Sequence, residues 1–310
     1  RAHQHAVLIR RSVINNCKTN IRGVKAMKIL VTGVKGQLGY DVMEEGTRRG
    51  IECIGADIDE FDITDEKQTH DFIVSQHPDA IIHCAAYTAV DRAEDEPELC
   101  EKVNAAGTEN IAKAAKEIDA KMIYISTDYI FDGKGDTPFE TNSPAAPQCE
   151  YGKSKYMGEL AVKSLLSKYF IVRISWVFGV NGNNFVKTML RLAKTNSEIR
   201  VVNDQIGSPT CTADLAPLLL DMVVTDKYGV YHATNEGICS WYEFALKIFE
   251  YAGADVKVTG IPTSEYKAAK AVRPMNSRMS KRSLVDAGFK LLPHWEDTLK
   301  WYVDKVKGTV

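Results

Sequence analysis

From Met27 onward, short β-branched apolar runs alternate with longer stretches that mix apolar and polar positions at helical spacing. The runs Lys28–Thr32, Ile51–Ala56, Asp79–Ala86, Lys121–Ile125 and Tyr169–Ile174 predict buried strands. Between them, Tyr40–Arg49, Thr64–Gln76, Glu98–Ile118 and Tyr151–Ser164 predict helices, the second ending before Pro78. Strands and helices alternating at this length predict an α/β fold, a parallel sheet covered by helices on both faces. After Ile174 the pattern becomes less regular. Helices are expected over Phe185–Lys194, Leu215–Val224 and Trp241–Tyr251, and strands over Ile199–Val202, Gly229–Ala233 and Val256–Ile261. Polar or basic loops run over 203–209 and 273–278, and two short helices carrying Trp295 and Trp301, both expected in the core, end the chain.

The glycines that follow the first strand give this sheet a use. Gly33, Gly36 and Gly39 form a G-x-x-G-x-x-G turn that leads straight into a helix. Such a turn lets backbone approach a pyrophosphate, whose charge then sits at the helix N-terminus. Asp57, about 20 residues on at the end of the second strand, is placed to accept from the adenosine ribose hydroxyls. A carboxylate there disfavours a 2′-phosphate and leans toward NADH over NADPH, although Asp59 and Asp62-Ile63 could share the adenosine contacts. Cys84-Ala85-Ala86, a small-residue strand end, suits either passage of a cofactor or tight packing. The fold expected is a Rossmann-type doubly wound parallel sheet with a smaller C-terminal substrate-binding lobe. Its dinucleotide-binding part would cover 27–178 and 212–232, its substrate lobe 179–211 and 233–310.

Tyr151 and Lys155, four apart at a helix start, would face the same space. A nearby ammonium favours a phenolate, and such a tyrosine can move a proton to or from a carbonyl oxygen. The same spacing also belongs to many solvated helix starts. What distinguishes this one is that Gly33–Gly39, Asp57, Ala85–Tyr87 and Ser126-Thr127 all fall at strand carboxyl ends, where parallel sheets bind ligands.

Bulk composition narrows the partners. The 310 residues carry a net charge of −2, which gives no push toward nucleic acid or an anionic membrane. No apolar run approaches the ~20 residues that span a bilayer. The seven cysteines are scattered without a C-x-x-C pair, so neither a disulfide framework nor a zinc site is expected and a reducing, cytoplasmic setting fits. Residues 1–26 are basic, with no acid before Asp41, and are expected to lie outside the fold.

Seven segments together resemble the extended short-chain dehydrogenase/reductase superfamily, and within it the dTDP-4-dehydrorhamnose reductases. They are Ala85–Asp91, Ser126–Gly133, Tyr151–Lys155, Arg173–Trp176, Gly182–Phe185, Asn203–Gln205 and Arg273–Arg278. The resemblance implies a reductase of a dTDP-linked 4-keto sugar, using NADH or NADPH, in cell-surface polysaccharide synthesis. It implies Tyr151, Lys155 and Thr127 as the catalytic set, and Asp128 and Trp176 at the sugar. Gly33, Gly36, Gln37, Leu38, Asp57, Asp62, Ile63, Ala85, Ala86, Tyr87 and Asn104 would meet the cofactor. Asn184, Gln205, Arg273 and Arg278 are candidates for the nucleotide and diphosphate, arginine because its planar fork matches phosphate oxygens; a surface ion pair is the other reading of either arginine. Some family members hold a magnesium ion at a homodimer contact; Asp41 is one partial match, and the metal stays open. Gln148-Cys149-Glu150 departs from the family's apolar approach to the tyrosine, and an inward Glu150 carboxylate would raise the phenol. Two alternatives remain. A nucleotide-sugar epimerase or dehydratase would carry a different strand end from Ser126-Thr-Asp-Tyr129. A non-catalytic subunit like that of methionine adenosyltransferase would have no need of Thr127, Tyr151 and Lys155 together.

Overall fold

The computed structural model describes residues 27–310; the basic segment 1–26 lies outside the described residues. Six parallel strands form the central sheet: β1 (Lys28–Thr32), β2 (Glu52–Ala56), β3 (Ala80–His83), β4 (Lys121–Thr127), β5 (Tyr169–Ile174) and β10 (Gly229–His232). Their order is β10-β5-β4-β3-β1-β2, so the direction of winding reverses between β1 and β3. A crevice opens at such a reversal, outside the strand carboxyl ends.

Alternation along each strand builds two cores. Ile29, Val31, Ile82, Ile123 and Val172 face α1 (Gln37–Arg49) and α8 (Thr212–Val223), where Val42, Leu215 and Leu219 are buried. Leu30, Ile81, Met122 and Ile171 face the other way, onto Ile73 of α2 (Glu66–Gln76), Ile111 of α5 (Gly107–Glu117) and Val162 of α6 (Glu150–Leu165). Period-2 side chains on a doubly covered sheet require this division.

A third core lies beside the sheet. It joins α7 (Phe185–Ala193), β7 (Glu198–Val202), α9 (Trp241–Ala252), which pairs a Ser240–Glu243 capping box with Gly253 at its end, and α11 (Trp295–Val306). β12 (Lys257–Ile261) pairs with β7, and three two-residue strands, β8 (Ile206–Gly207), β11 (Cys239–Ser240) and β13 (Asn276–Ser277), form a small sheet. β6 (Val177–Phe178) pairs with β9 (Thr210–Cys211), linking the end of β5 to the start of α8.

Three sequence expectations change. The helix expected over Glu98–Ile118 is broken in register: α4 (Pro97–Glu101), which follows the short α3 (Val90–Ala93), runs into a π-helical turn, Lys102–Ala106, before α5. Asn104 sits on that turn, a type of distortion common at functional sites. The loops 203–209 and 273–278 each contribute a strand to the small sheet. Trp295 is buried, but Trp301 on the same helix is 45% exposed and not core, while α10 (Arg282–Asp286) is the other terminal helix. Among the described residues, no helix is long and apolar enough to cross a membrane.

Candidate active site

A cleft of about 780 Å³ runs along the carboxyl ends of β1 to β5. At one end, Gly33 takes a left-handed conformation (φ 70°) and closes the turn between β1 and α1. A Cβ on Gly33 would stand 2.6 Å from the Ala85 nitrogen, and one on Gly39 2.3 Å from the Gly33 oxygen. Only glycine lets the turn pack against β3 and beneath itself, and the turn opens onto the cleft. Asp57, Asp62 and Ile63 line the same end. The Asp57 carboxylate accepts from the backbone N–H groups of Lys35 at 3.0 Å and Ile58 at 2.9 Å.

The other end is built on α6. Tyr151 and Lys155, one helical turn apart, both line the cleft, with Thr127 and Asp128 opposite at the end of β4. Lys155 is 3% exposed, and among the described residues its ammonium donates no hydrogen bond; it stands 4.2 Å from the centre of the Tyr124 ring. Burial lowers its pKa to about 7, against the opposing pull of Glu159. Glu159, the next residue on this helix face, is committed elsewhere. It pairs with Arg173 through two bonds of 2.8 Å and accepts from Ser126 at 2.6 Å.

Burial pushes the Tyr151 phenol well above its usual range, and Lys155 does not reverse this, contrary to the expectation from spacing alone. The phenol therefore holds its proton at neutral pH. Glu150 faces outward, where its carboxylate pairs with Lys153 at 2.6 Å, so the departure before Tyr151 brings no charge to the phenol. Cys149 serves as the cap of α6, its sulfur accepting from the Gly152 N–H at 3.4 Å.

Thr127 donates to Asp128 Oδ1 at 3.0 Å and accepts from the Tyr129 N–H at 3.2 Å. Ser277 of β13 donates to Asp128 Oδ2 at 2.5 Å. Burial raises the Asp128 carboxyl to about 6 in spite of these donors. Trp176 lines the cleft from the end of β5 with φ 51°, a conformation rare for a bulky side chain, and its ring stacks on Trp241 at 3.9 Å.

Of the sequence-predicted residues, the cleft gathers Gly33, Gly36, Gln37, Leu38, Asp57, Asp62, Ile63, Ala85, Ala86, Thr127, Asp128, Tyr151, Lys155 and Trp176. Six others are not on its wall. Asn104 exchanges bonds with the Tyr87 backbone (2.8 and 3.0 Å) and donates to Ser154 at 3.0 Å, tying the exit of β3 to α6. The Tyr87 hydroxyl donates to Glu96 at 2.8 Å. Asn184 caps α7 and donates to Gln37, Gly179 and Tyr302. Gln205 donates to Thr263 at 3.0 Å, and Arg278 to Asn276 at 3.0 Å. Arg273 donates to Tyr129 and Asp91.

Asp41 accepts from Thr212, and among the described residues no cluster of three or more His, Cys, Asp or Glu side chains gathers as a metal site would. Sequence reasoning passed over Lys35, Tyr129 and Asn183, all on the wall. Each lies inside or beside a segment already singled out, so position within the motif was the available signal.

The chain matches the model of the RmlD substrate binding domain over residues 27–307. It belongs to the RmlD family. Among its relatives is the dTDP-4-dehydrorhamnose reductase of Escherichia coli (strain K12), 38% identical, with 91% of this chain and 99% of that protein covered. The spore coat polysaccharide biosynthesis protein SpsK of Bacillus subtilis (strain 168) is 39% identical, with 90% and 97% covered. Among solved structures, the dTDP-4-dehydrorhamnose reductase of Bacillus anthracis in complex with NADP superposes with a TM-score of 0.88 at 44% identity, covering 91% of this chain and 100% of that one. A Thermus thermophilus UDP-glucose 4-epimerase complex at 20% identity (TM-score 0.80; 92% and 100% covered) shares the fold. As an RmlD-family member the protein is an NAD(P)-dependent oxidoreductase.

Proposed function

We propose that this RmlD-family protein reduces the 4-keto group of dTDP-4-dehydro-L-rhamnose to give dTDP-L-rhamnose, for cell-surface polysaccharide synthesis. The observation that carries this reading is one cleft with a glycine turn and Asp57 at one end and Tyr151, Lys155 and Thr127 at the other. The activities of the Escherichia coli and Bacillus anthracis relatives support the substrate.

The residues fit a nicotinamide dinucleotide: backbone at Gly33, Gly36, Gln37 and Leu38 suits the pyrophosphate, Asp57, Asp62 and Ile63 the adenosine, Ala85 and Ala86 the passage between. The buried Lys155 ammonium, which among the described residues donates no hydrogen bond, suits the ribose hydroxyls beside the nicotinamide. When bound, that group supplies the hydride. Tyr151 gives its phenolic proton to the C4 oxygen as negative charge develops there, a role that a phenol protonated at neutral pH can fill. The Thr127 hydroxyl, whose proton points to Asp128 Oδ1 in this structure, becomes the second donor for that oxygen by turning that proton from the carboxylate to the substrate. Trp176 packs on the sugar. Arg278, off the cleft wall, donates to Asn276 through one nitrogen and among the described residues leaves its other side-chain donors unbonded, which suits it to the diphosphate. Asp57 favours NADH, while the Bacillus anthracis relative holds NADP. The separate core around α7, α9 and α11 supports a substrate lobe formed by 179–211 and 233–310.

The test is to supply dTDP-4-dehydro-L-rhamnose with NADH or NADPH. One dinucleotide oxidised per dTDP-L-rhamnose formed supports the reading. An epimerised sugar without net oxidation would replace it with an epimerase.

A further inference from the structure

Glu159 stands one helical turn beyond Lys155 on α6 and is fully buried. Both of its oxygens are occupied. Oε1 accepts from the Ser126 hydroxyl at 2.6 Å and from Arg173 Nε at 2.8 Å. Oε2 accepts from Arg173 Nη2 at 2.8 Å and from Lys163 at 3.3 Å. Arg173 lies opposite Ser126 in the register of β5 against β4. Its remaining nitrogen donates to the Thr141 carbonyl at 2.9 Å and faces Nε2 of the buried His232 at 3.3 Å. His232 donates from Nδ1 to the Ser280 carbonyl, which leaves Nε2 to accept. The guanidinium is thus held on every edge, and it fixes the carboxylate.

A buried ion pair adds little net stability over an apolar pair of the same size, so stability does not account for it. Two neighbours do. Ser126 directly precedes Thr127. The groups that face Lys155 are His83 and Cys84 at the end of β3, Cys100 of α4, Tyr124 of β4, and Tyr151 and Glu159 of α6. Burial keeps His83 neutral and the two thiols and two phenols protonated at neutral pH. Glu159 alone among them is charged, because against its burial Arg173 holds the carboxyl below its usual range.

We propose that Glu159 is a positioning residue for the reaction. Its carboxylate, fixed by Arg173, is the counter-charge of the Lys155 ammonium and, through Ser126, holds the end of β4 that presents Thr127. The inference rests on the reading of the cleft as a reductase site and adds a residue that acts from behind its wall.

The test is calorimetry of NADH binding, in buffers of different ionisation heat, to the full chain and to Glu159→Gln/Arg173→Met, which removes both buried charges together. Proton uptake on binding sets in where the free Lys155 amine titrates, about pH 7 in the unaltered protein. Loss of the carboxylate disfavours the ammonium, so in the double variant the onset should move about one pH unit toward acid. Glu159→Gln alone leaves Arg173 unpaired and should move it at least as far, so it decides the matter if the double variant does not fold. Ser126→Ala keeps the charge and releases the strand end. Its onset should hold, while kcat with the keto sugar falls about tenfold at unchanged KM. An unmoved onset in a folded Glu159 variant, or an unchanged kcat in Ser126→Ala, overturns the inference and leaves the proposed reaction standing. Failure of the unaltered protein to bind the dinucleotide would overturn both.

Discussion

The Arg273 guanidinium donates to the Tyr129 hydroxyl at 2.8 Å, and the Tyr129 ring meets Tyr151 edge-on with centroids 5.5 Å apart. Arg273 also pairs with Asp91 at 2.6 Å, and Asp91 in turn accepts from the backbone of Lys270 and Ala271 at 3.0 and 3.1 Å. One arginine therefore staples the 270–274 segment to the ring packed on the proposed proton donor. Arg273→Ala is expected to lower kcat/KM about tenfold or more, and Arg273→Lys to restore little, because an ammonium cannot span both partners. Tyr129→Phe keeps the ring and should stay within about threefold. Steady-state kinetics on the three variants check the order; equal losses in all would contradict it.

Asp128 makes a stability prediction with a definite sign. Its folded pKa, raised to about 6, lies above the ordinary value of 3.8. The folded state therefore binds the proton more tightly, and the stability this gives at low pH is lost as pH rises through about 6. Asp128→Asn has no such dependence. Relative to the unaltered protein, the Asn variant should gain on the order of 2 kcal/mol between pH ~4 and ~7. Urea denaturation at both pH values measures it, and a flat difference would refute the raised carboxyl.

Lys155 makes a prediction about binding. With its pKa lowered to about 7, the side chain is mostly neutral above that pH. A bound anionic dinucleotide whose ribose accepts from the amine favours the ammonium, so binding should take up protons at pH ~8 and not at pH ~5.5. Calorimetry in buffers of different ionisation heat reads the uptake. It should disappear in Lys155→Met.

The strands were legible because a sheet covered on both faces needs near-continuous apolar runs, and Ile29–Val31, Ile81-Ile82 and Phe170–Val172 are such runs. The two-residue strands Ile206–Gly207 and Asn276-Ser277 were not, since so short a segment has no period and is fixed only by the chain it pairs with. The cleft residues were legible where a motif marks a strand end, as at Gly33–Gly39 and Thr127. Asn184 shows the limit. A polar residue just before an apolar helix is a cap signal, and its side chain accepts from the Lys187 N–H at 3.0 Å as a cap does. Arg273 shows another: its charge was visible, but that Asp91 and Tyr129 claim it depends on contacts across 182 and 144 residues.

Gly207 offers a probe of the proposed sugar pocket. A Cβ there would stand 3.0 Å from the Trp176 ring and 2.9 Å from the Ser277 Cβ. Gly207→Ala should displace the ring, raising KM for the keto sugar by about fivefold or more while the NADH dissociation constant holds; a loss of a well-packed contact is worth about that much. An unchanged KM would remove Trp176 from the sugar site.

The central claim is that Tyr151 delivers the proton, and Tyr151→Phe tests it most directly. The variant keeps the ring that packs against Tyr129 and removes only the hydroxyl. Assayed with dTDP-4-dehydro-L-rhamnose and NADH, it should bind the dinucleotide normally and lose about 100-fold or more in kcat. Turnover near that of the unaltered protein would contradict the account.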